Sequence, residues 1–227
     1  YCGAMQPQPK EFIAPHCSGT IRILYQDDAI LLIDKPTGLL SLSGKNPANK
    51  DSVHFRLVQD FPGCTLTHRL DFGTSGLMLV ALNKAVNGHI TKQFQNRSIE
   101  KAYEALLLGH VSESSGLIEA PITKLPDHFP LQKVCFETGK LAISRFEVIE
   151  KTNNPEVTRV KFTPVTGRTH QLRVHSMHLG HPILGCDLYA DDEAFLLGER
   201  LMLHATELSF EHPMTGARMT FRCPSPF

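Results

Sequence analysis

Short β-branched runs separated by turn residues, with few helix-length patterns between them, constrain this chain more than any other feature. Ile21 to Tyr25 and Ile30 to Asp34 flank Gln26-Asp27-Asp28 and read as a hairpin, closed by Lys35-Pro36-Thr37-Gly38. Leu77 to Leu82 reads as a buried strand. Tyr103 to Val111, Leu117 to Ala120, Gln132 to Phe136, Ala142 to Glu150 and Thr158 to Phe162 continue the series, punctuated by Pro126, Pro130, Gly139 and Asn153-Asn154-Pro155. Met202 to Glu211 and Ala217 to Arg222 form a last pair around the turn His212 to Gly216. Helical patterns are three: one opened by Asp51-Ser52 and ending near Asp60, one capped by Asn83 and running to Asn96, and one from Arg168 to Leu179, stopped by Gly180 and Pro182. Strands outnumber helices and do not alternate with them. The pattern predicts an α+β fold, a mixed, mostly antiparallel β-sheet flanked by helices, over a doubly wound one.

A chain of 227 residues fits one large domain with an appendage. Residues 1–20, with Pro7, Pro9, Pro15 and Gly19 and no periodicity, read as an N-terminal tail, and 21–227 as the single domain. The opening Tyr1 in place of Met suggests a trimmed start, and the first ten residues show no secretory signal. The longest apolar runs are far shorter than the roughly 20 residues that span a bilayer, so no membrane partner is expected. Six cysteines without a C-x-x-C pair fit a reducing cytoplasm better than a disulfide framework or a zinc ribbon. Lys+Arg and Asp+Glu number 23 each, yet the acids are segregated. From Phe61 through Ile99 the one acid is Asp71, and from Val157 through Cys186 there is none. Those stretches carry Arg97 and Arg173, expected to meet phosphates, and can present a basic face to a polyanion.

Most motif-like features have a bland reading. Gly38 to Asn46 resembles a phosphate loop until counted: five residues separate Gly38 from Gly44, and Asn46 stands where Ser or Thr would reach Mg²⁺. His175, His178 and His181 invite a zinc site and hence a zinc hydrolase, but His181 lies beyond the expected helix end and no carboxylate precedes Asp187. The informative stretch is His68-Arg-Leu-Asp71-Phe-Gly-Thr74-Ser-Gly76. A carboxylate beside an arginine, in a Gly/Thr/Ser loop leading into a buried strand, is where a scaffold places chemistry. Its alternative is a turn cap or a structural ion pair. As the lone acid among cations, Asp71 is placed to serve as nucleophile or base. In Thr166-Gly167-Arg168-Thr-His-Gln-Leu172-Arg173-Val-His175, a glycine before a helix start lets backbone N–H groups and Arg168 face an anion. Solvated charges on an amphipathic helix fit it equally on spacing alone.

These two stretches resemble the RluA family of RNA pseudouridine synthases, whose catalytic signature H-R-L-D-x-x-T-S-G is matched by His68 through Gly76. The family block K-x-Y-x-A is matched at Lys101, Tyr103 and Ala105, and T-G-R-T-H-Q-L-R-V-H with G-x-P-I-x-G at Thr166 to His175 and Gly180 to Gly185. The resemblance runs from about Ile21 to Phe227. It implies the pseudouridine synthase catalytic fold without the S4-type domain of many relatives, and isomerisation of uridine in structured RNA without cofactor or metal. By the same resemblance Asp71 is the catalytic carboxylate, Arg168 the cation paired with it, and Tyr103 the aromatic stacked on the target base. Arg69 would fill the gap left by an everted uridine, and Leu172, His68, Thr74 and Arg173 would serve substrate binding. Asp187, offset by one from the family's acid, receives no catalytic role. The pattern is most similar to the dual-specificity branch acting on a large-subunit rRNA hairpin and the tRNA anticodon stem-loop, implying a cytoplasmic monomer. A non-catalytic RNA chaperone or ribosome-assembly factor on the same fold would need a degenerate pocket, whereas Asp71, Tyr103 and Arg168 keep their residue types.

Overall fold

The computed structural model describes residues 12–189 and 191–227. Strands β1 (Arg22–Gln26) and β2 (Ile30–Lys35) pair antiparallel around a turn that Asp27 makes, its carboxylate accepting the N–H groups of Ala29 (2.8 Å) and Ile30 (2.9 Å). Helix α1 (Val53–Leu57) begins where the Ser52 hydroxyl accepts the Phe55 N–H. After β3 (Thr65–Leu66) and β4 (Ser75–Ala81), α2 (Lys84–Gln95) begins where Asn83 caps Val86. The middle of the chain supplies β5 (Glu100–Leu108), β6 (Ser115–Glu119), β7 (Ile122–Lys124), β8 (Gln132–Val134), β9 (Ile143–Thr152) and β10 (Val157–Pro164). Helices α3 (Gln171–Leu179) and α4 (Asp192–Leu197) precede the closing strands β11 (Leu203–Glu211) and β12 (Arg218–Arg222).

The main sheet runs β1-β2-β4-β11-β5-β10-β9-β6, with β12 beside β11 and β3 beside β4, while β7 and β8 form a separate hairpin. Among the described strands only β4 and β11 pair in parallel; the architecture is the α+β, mostly antiparallel one expected. Every residue of β4 is buried, which is why its sequence shows no alternation. Gly76 is required where β4 meets β11: its φ is +114°, and a Cβ there would strike the backbone of Ala205.

Two apolar cores flank the middle of this sheet. One gathers β2, β4 and α2 around Ile30 to Ile33, Leu77 to Ala81 and Ile90. The other gathers β5, β10 and β11 around Leu107, Val160, Phe162 and Leu203, with Leu172 from α3. Tyr103 of β5 packs against both, so it stands at their seam.

The structure departs from the sequence pattern at several elements. α3 starts at Gln171 rather than Arg168, because His170 adopts a left-handed conformation (φ 55°) that no helix continues through. β3, β7 and α4 were not expected. Two- and three-residue strands carry no period, and α4 buries only Ala194 and so shows no apolar stripe. Of the expected tail, residues 1–11 lie outside the described residues; 12–20 have no regular secondary structure but are tied to the body. The Asn49 amide donates to the Phe12 carbonyl (2.8 Å) and accepts from Ala14 (2.7 Å), and Arg56 donates to Cys17 and Gly19. Among the described residues no helix is long and apolar enough to cross a membrane.

Candidate active site

Asp71 sits in the loop between β3 and β4, and the segment Lys35 to Ser41 holds that loop's backbone. The fully buried Lys35 ammonium donates to the carbonyls of Pro36 (2.9 Å), Leu39 (2.6 Å) and Phe72 (3.2 Å). Three acceptors match its three protons, although burial pushes its pKa down to about 7. Gly38 N–H donates to the same Phe72 carbonyl (2.9 Å) and the Thr37 hydroxyl to Gly73 (2.7 Å). Ser41 donates to the Leu70 carbonyl (2.7 Å) and accepts its N–H (3.1 Å). The carboxylate is therefore carried on a backbone pinned on both sides.

The opposite wall is the turn into α3. There the Thr166 hydroxyl (2.6 Å) and the Arg168 N–H (3.0 Å) both donate to the Gln171 side-chain carbonyl, while Gln171 donates to Ile143 (2.9 Å). This knot fixes the helix start and brings the next two residues, Leu172 and Arg173, to the pocket. The pocket has a volume of about 130 Å³, close to the roughly 150 Å³ of an engineered cavity that holds benzene. It is thus the size of one six-membered ring. Arg69, Asp71, Thr74, Tyr103, Arg168 and Leu172 all line it, so most of the expected site residues converge.

The cation on Asp71 is Arg173, not Arg168. Arg173 Nη1 lies 3.4 Å from the Asp71 carboxylate, Nη2 lies 2.8 Å from Asp187, and Nε donates to the Cys186 sulfur at 3.4 Å. Its side chain is only 6% exposed, so it is no phosphate contact on a basic face. Arg168 lines the pocket but gives its Nε to the Leu141 carbonyl (2.8 Å). The reason is the late helix start: Arg168 stays in the preceding turn, and Arg173 occupies the first turn of α3. Asp187 is thereby the second carboxylate on the central guanidinium.

His68, unlike the other expected site residues, does not line the pocket. Its Nε2 accepts the Leu79 N–H (2.9 Å), its ring packs 5.1 Å from that of Phe94, and burial with the nearby Lys101 charge pushes its pKa down to about 3. It is a neutral structural histidine. His175 and His204 are likewise lowered by burial. Below about pH 6.5 the unfolded chain therefore binds protons that the native state refuses, and stability falls as pH drops from 6.5 toward 3. His68→Gln keeps an acceptor for Leu79 while removing one such titration. Denaturant unfolding at pH 7 and pH 5 should show the variant losing about 1–2 kcal/mol less than the parent chain; equal losses would assign the acid sensitivity to other groups.

Sequence reasoning missed Lys101, His170 and Tyr189. Lys101 and His170 line the pocket, and the His170 Nδ1 lies 2.6 Å from the Tyr189 hydroxyl, which also accepts the Gln132 N–H (2.9 Å). Arg173 lies over the Tyr189 ring, 5.4 Å from its centroid. Tyr103 stays a neutral phenol, its pKa raised by burial and further by the Asp71 charge. The sequence signal for Lys101 and His170 was their place inside matched blocks, and Tyr189 had none.

Two of the three histidines suggested for zinc, His175 and His181, are otherwise engaged, and the third, His178, is exposed on the last turn of α3. His175 is bound at both nitrogens, to Ser144 (2.8 Å) and the Ala120 carbonyl (2.9 Å), and His181 to the Leu108 carbonyl (2.8 Å). Among the described residues, Asp34, His204 and Cys223 bring ligand atoms within 4.8 Å of one another. The Arg22 guanidinium already contacts that carboxylate (3.1 Å) and that sulfur (3.9 Å), so this corner is served by the protein's own cation.

Comparison with known proteins gives a family. The RNA pseudouridylate synthase profile matches residues 29–178. The dual-specificity RNA pseudouridine synthase RluA of Yersinia pestis is 46% identical over 90% of this chain and 99% of its own length. The protein of that name from Escherichia coli K12 is 46% identical over 90% of this chain and 93% of its own. Among solved structures, human RNA pseudouridylate synthase domain containing 1 superposes with a TM-score of 0.78 at 32% identity, over 94% of this chain and 86% of that one. Domain containing 4, at 24% identity and a TM-score of 0.71 over 90% and 88%, shares the fold. Sequence likeness of this extent, joined to a ring-sized pocket that gathers the matched motifs, leaves one conclusion: the chain belongs to the RNA pseudouridine synthase family, enzymes that isomerise uridine to pseudouridine in RNA.

Proposed function

We propose that residues 21–227 act as one catalytic unit in which Asp71 is the catalytic carboxylate, Arg173 the guanidinium that orients it, and Tyr103 the ring that retains the freed uracil. The observation that carries this reading is the Asp71–Arg173 contact in a pocket sized for one ring and walled by Tyr103. A base inside a helix cannot reach such a pocket, so the target uridine is everted. Arg69, exposed at the rim, takes the gap it leaves, while Leu172 and the buried Thr74 shape the slot and Arg168 faces the adjoining backbone. The N1–C1′ bond is exchanged for a C5–C1′ bond, with the C5 hydrogen released to solvent and a proton taken up at N1. Substrate and product have one composition, so the scheme consumes no co-reactant.

The targets we propose are uridines of a large-subunit rRNA hairpin and of the tRNA anticodon stem-loop, read by a cytoplasmic monomer. Relatives named dual-specificity synthases, aligned over nine-tenths of the chain, support the two-target reading, and the five free cysteines among the described residues support a reducing compartment. The test supplies both stem-loops labelled with tritium at uridine C5. Release from both, with pseudouridine mapped to one position in each, is expected. Release from neither would sink the assignment of targets, and release from one would reduce it to a single specificity.

A further inference from the structure

The β7–β8 hairpin lies along α3, and two contacts fix its direction. Near its tip, Gln132 donates to the hydroxyl of Tyr189, the partner of His170, which directly precedes α3. At its base, the Phe136 ring lies 6.2 Å from that of His178 in the last turn of α3. The tip, residues 125–131, therefore reaches past the N-terminal end of α3, whose preceding turn and first residues, Arg168 to Arg173, supply one wall of the pocket.

This tip carries Phe129, which at 93% exposure is the most exposed large apolar side chain among the described residues. A lone exposed phenylalanine is ordinary; this one is presented. Main-chain bonds from Leu131 to His128 (2.7 Å), Leu125 to Leu131 (2.9 Å) and His128 to Leu125 (3.3 Å) close the loop on itself beneath it. Exposed Lys124 and Lys133 flank the loop, against the single acid Asp127. Cations around a fixed aromatic face are the chemistry of a platform for single-stranded nucleic acid.

We propose that Phe129 stacks on an unpaired nucleobase beside the everted uridine, so that the enzyme selects looped over fully paired RNA. Everting one nucleotide exposes the faces of its neighbours, and an aromatic ring presented beyond the N-terminal end of α3 replaces the lost stacking. This takes from family membership only that the substrate is RNA.

The chain contains no tryptophan, so Phe129→Trp installs a single fluorophore at the platform. Titration with a uridine-containing anticodon-arm stem-loop should quench that fluorescence at the concentration where RNA binds, while heparin leaves it unchanged. Phe129→Ala should weaken stem-loop affinity about tenfold or more, with the salt dependence of binding unaltered and turnover at saturating RNA within twofold. Phe129→Trp should restore the affinity. An unquenched tryptophan in the RNA-bound protein would overturn the proposal and leave the ring to a protein partner. Parent affinity in Phe129→Ala would overturn it too, as would a changed salt slope, which would mean that the loop acts through charge.

Discussion

Asp71→Asn should abolish tritium release from C5-labelled uridine in RNA, by about 10³-fold or more, the scale on which loss of a nucleophile or base acts. The amide has the carboxylate's shape but neither its charge nor its basicity, so it can neither attack C1′ nor remove a C2′ proton. RNA affinity should stay close to the parent's, since the stacking and phosphate-facing groups are untouched. Stability should move by no more than about 1 kcal/mol, because the Asp71 side chain is 30% exposed and Arg173 keeps its shorter contact to Asp187. Single-turnover assays, filter binding and denaturant melts together decide this. Normal turnover in a folded Asp71→Asn would remove the proposed chemistry entirely.

Replacement of Arg173 separates the two arginines of the second motif. Arg173→Met removes the buried cation that holds Asp71, Asp187 and the Cys186 sulfur together and stacks on Tyr189. Turnover should fall about 10²-fold or more, and stability by about 2–4 kcal/mol. The upper figures quoted for broken buried pairs are not reached, because both carboxylates keep access to water. Arg173→Lys restores a charge without the planar fork, so it should recover stability in part and turnover less. Arg168→Ala, which gives up one exposed bond to Leu141, should remain within a few-fold of the parent in turnover and within about 0.5 kcal/mol in stability. An inactive Arg168→Ala beside an active Arg173→Lys would return the central role to Arg168.

That pair of arginines shows where a sequence stops being informative. Both sit in one ten-residue block, and nothing in their spacing says which faces a carboxylate 102 residues earlier. A single left-handed residue, His170, decides it by delaying the helix. Its φ is sustained by the Tyr189 hydroxyl and the Gln171 knot, contacts between segments that no local pattern joins. His68 misled for a related reason. It belongs to the matched motif by position, yet its ring turns to the Leu79 backbone and away from the pocket.

What the amino-acid order determined by itself is everything that rests on neighbours: the caps at Ser52 and Asn83, the Asp27 turn, the apolar run Leu77 to Ala81 of β4 and the loop that carries Asp71. Turn chemistry, capping and apolar period act over a few residues, so they can be read from a few residues. Only the tertiary structure decided the partner of Asp71, the burial of Lys35 under its loop and the seating of the β7–β8 hairpin against Tyr189. These depend on which distant side chains share a desolvated space, where a charge must find its counter-charge and a donor its acceptor. That condition is set by packing and not by order along the chain.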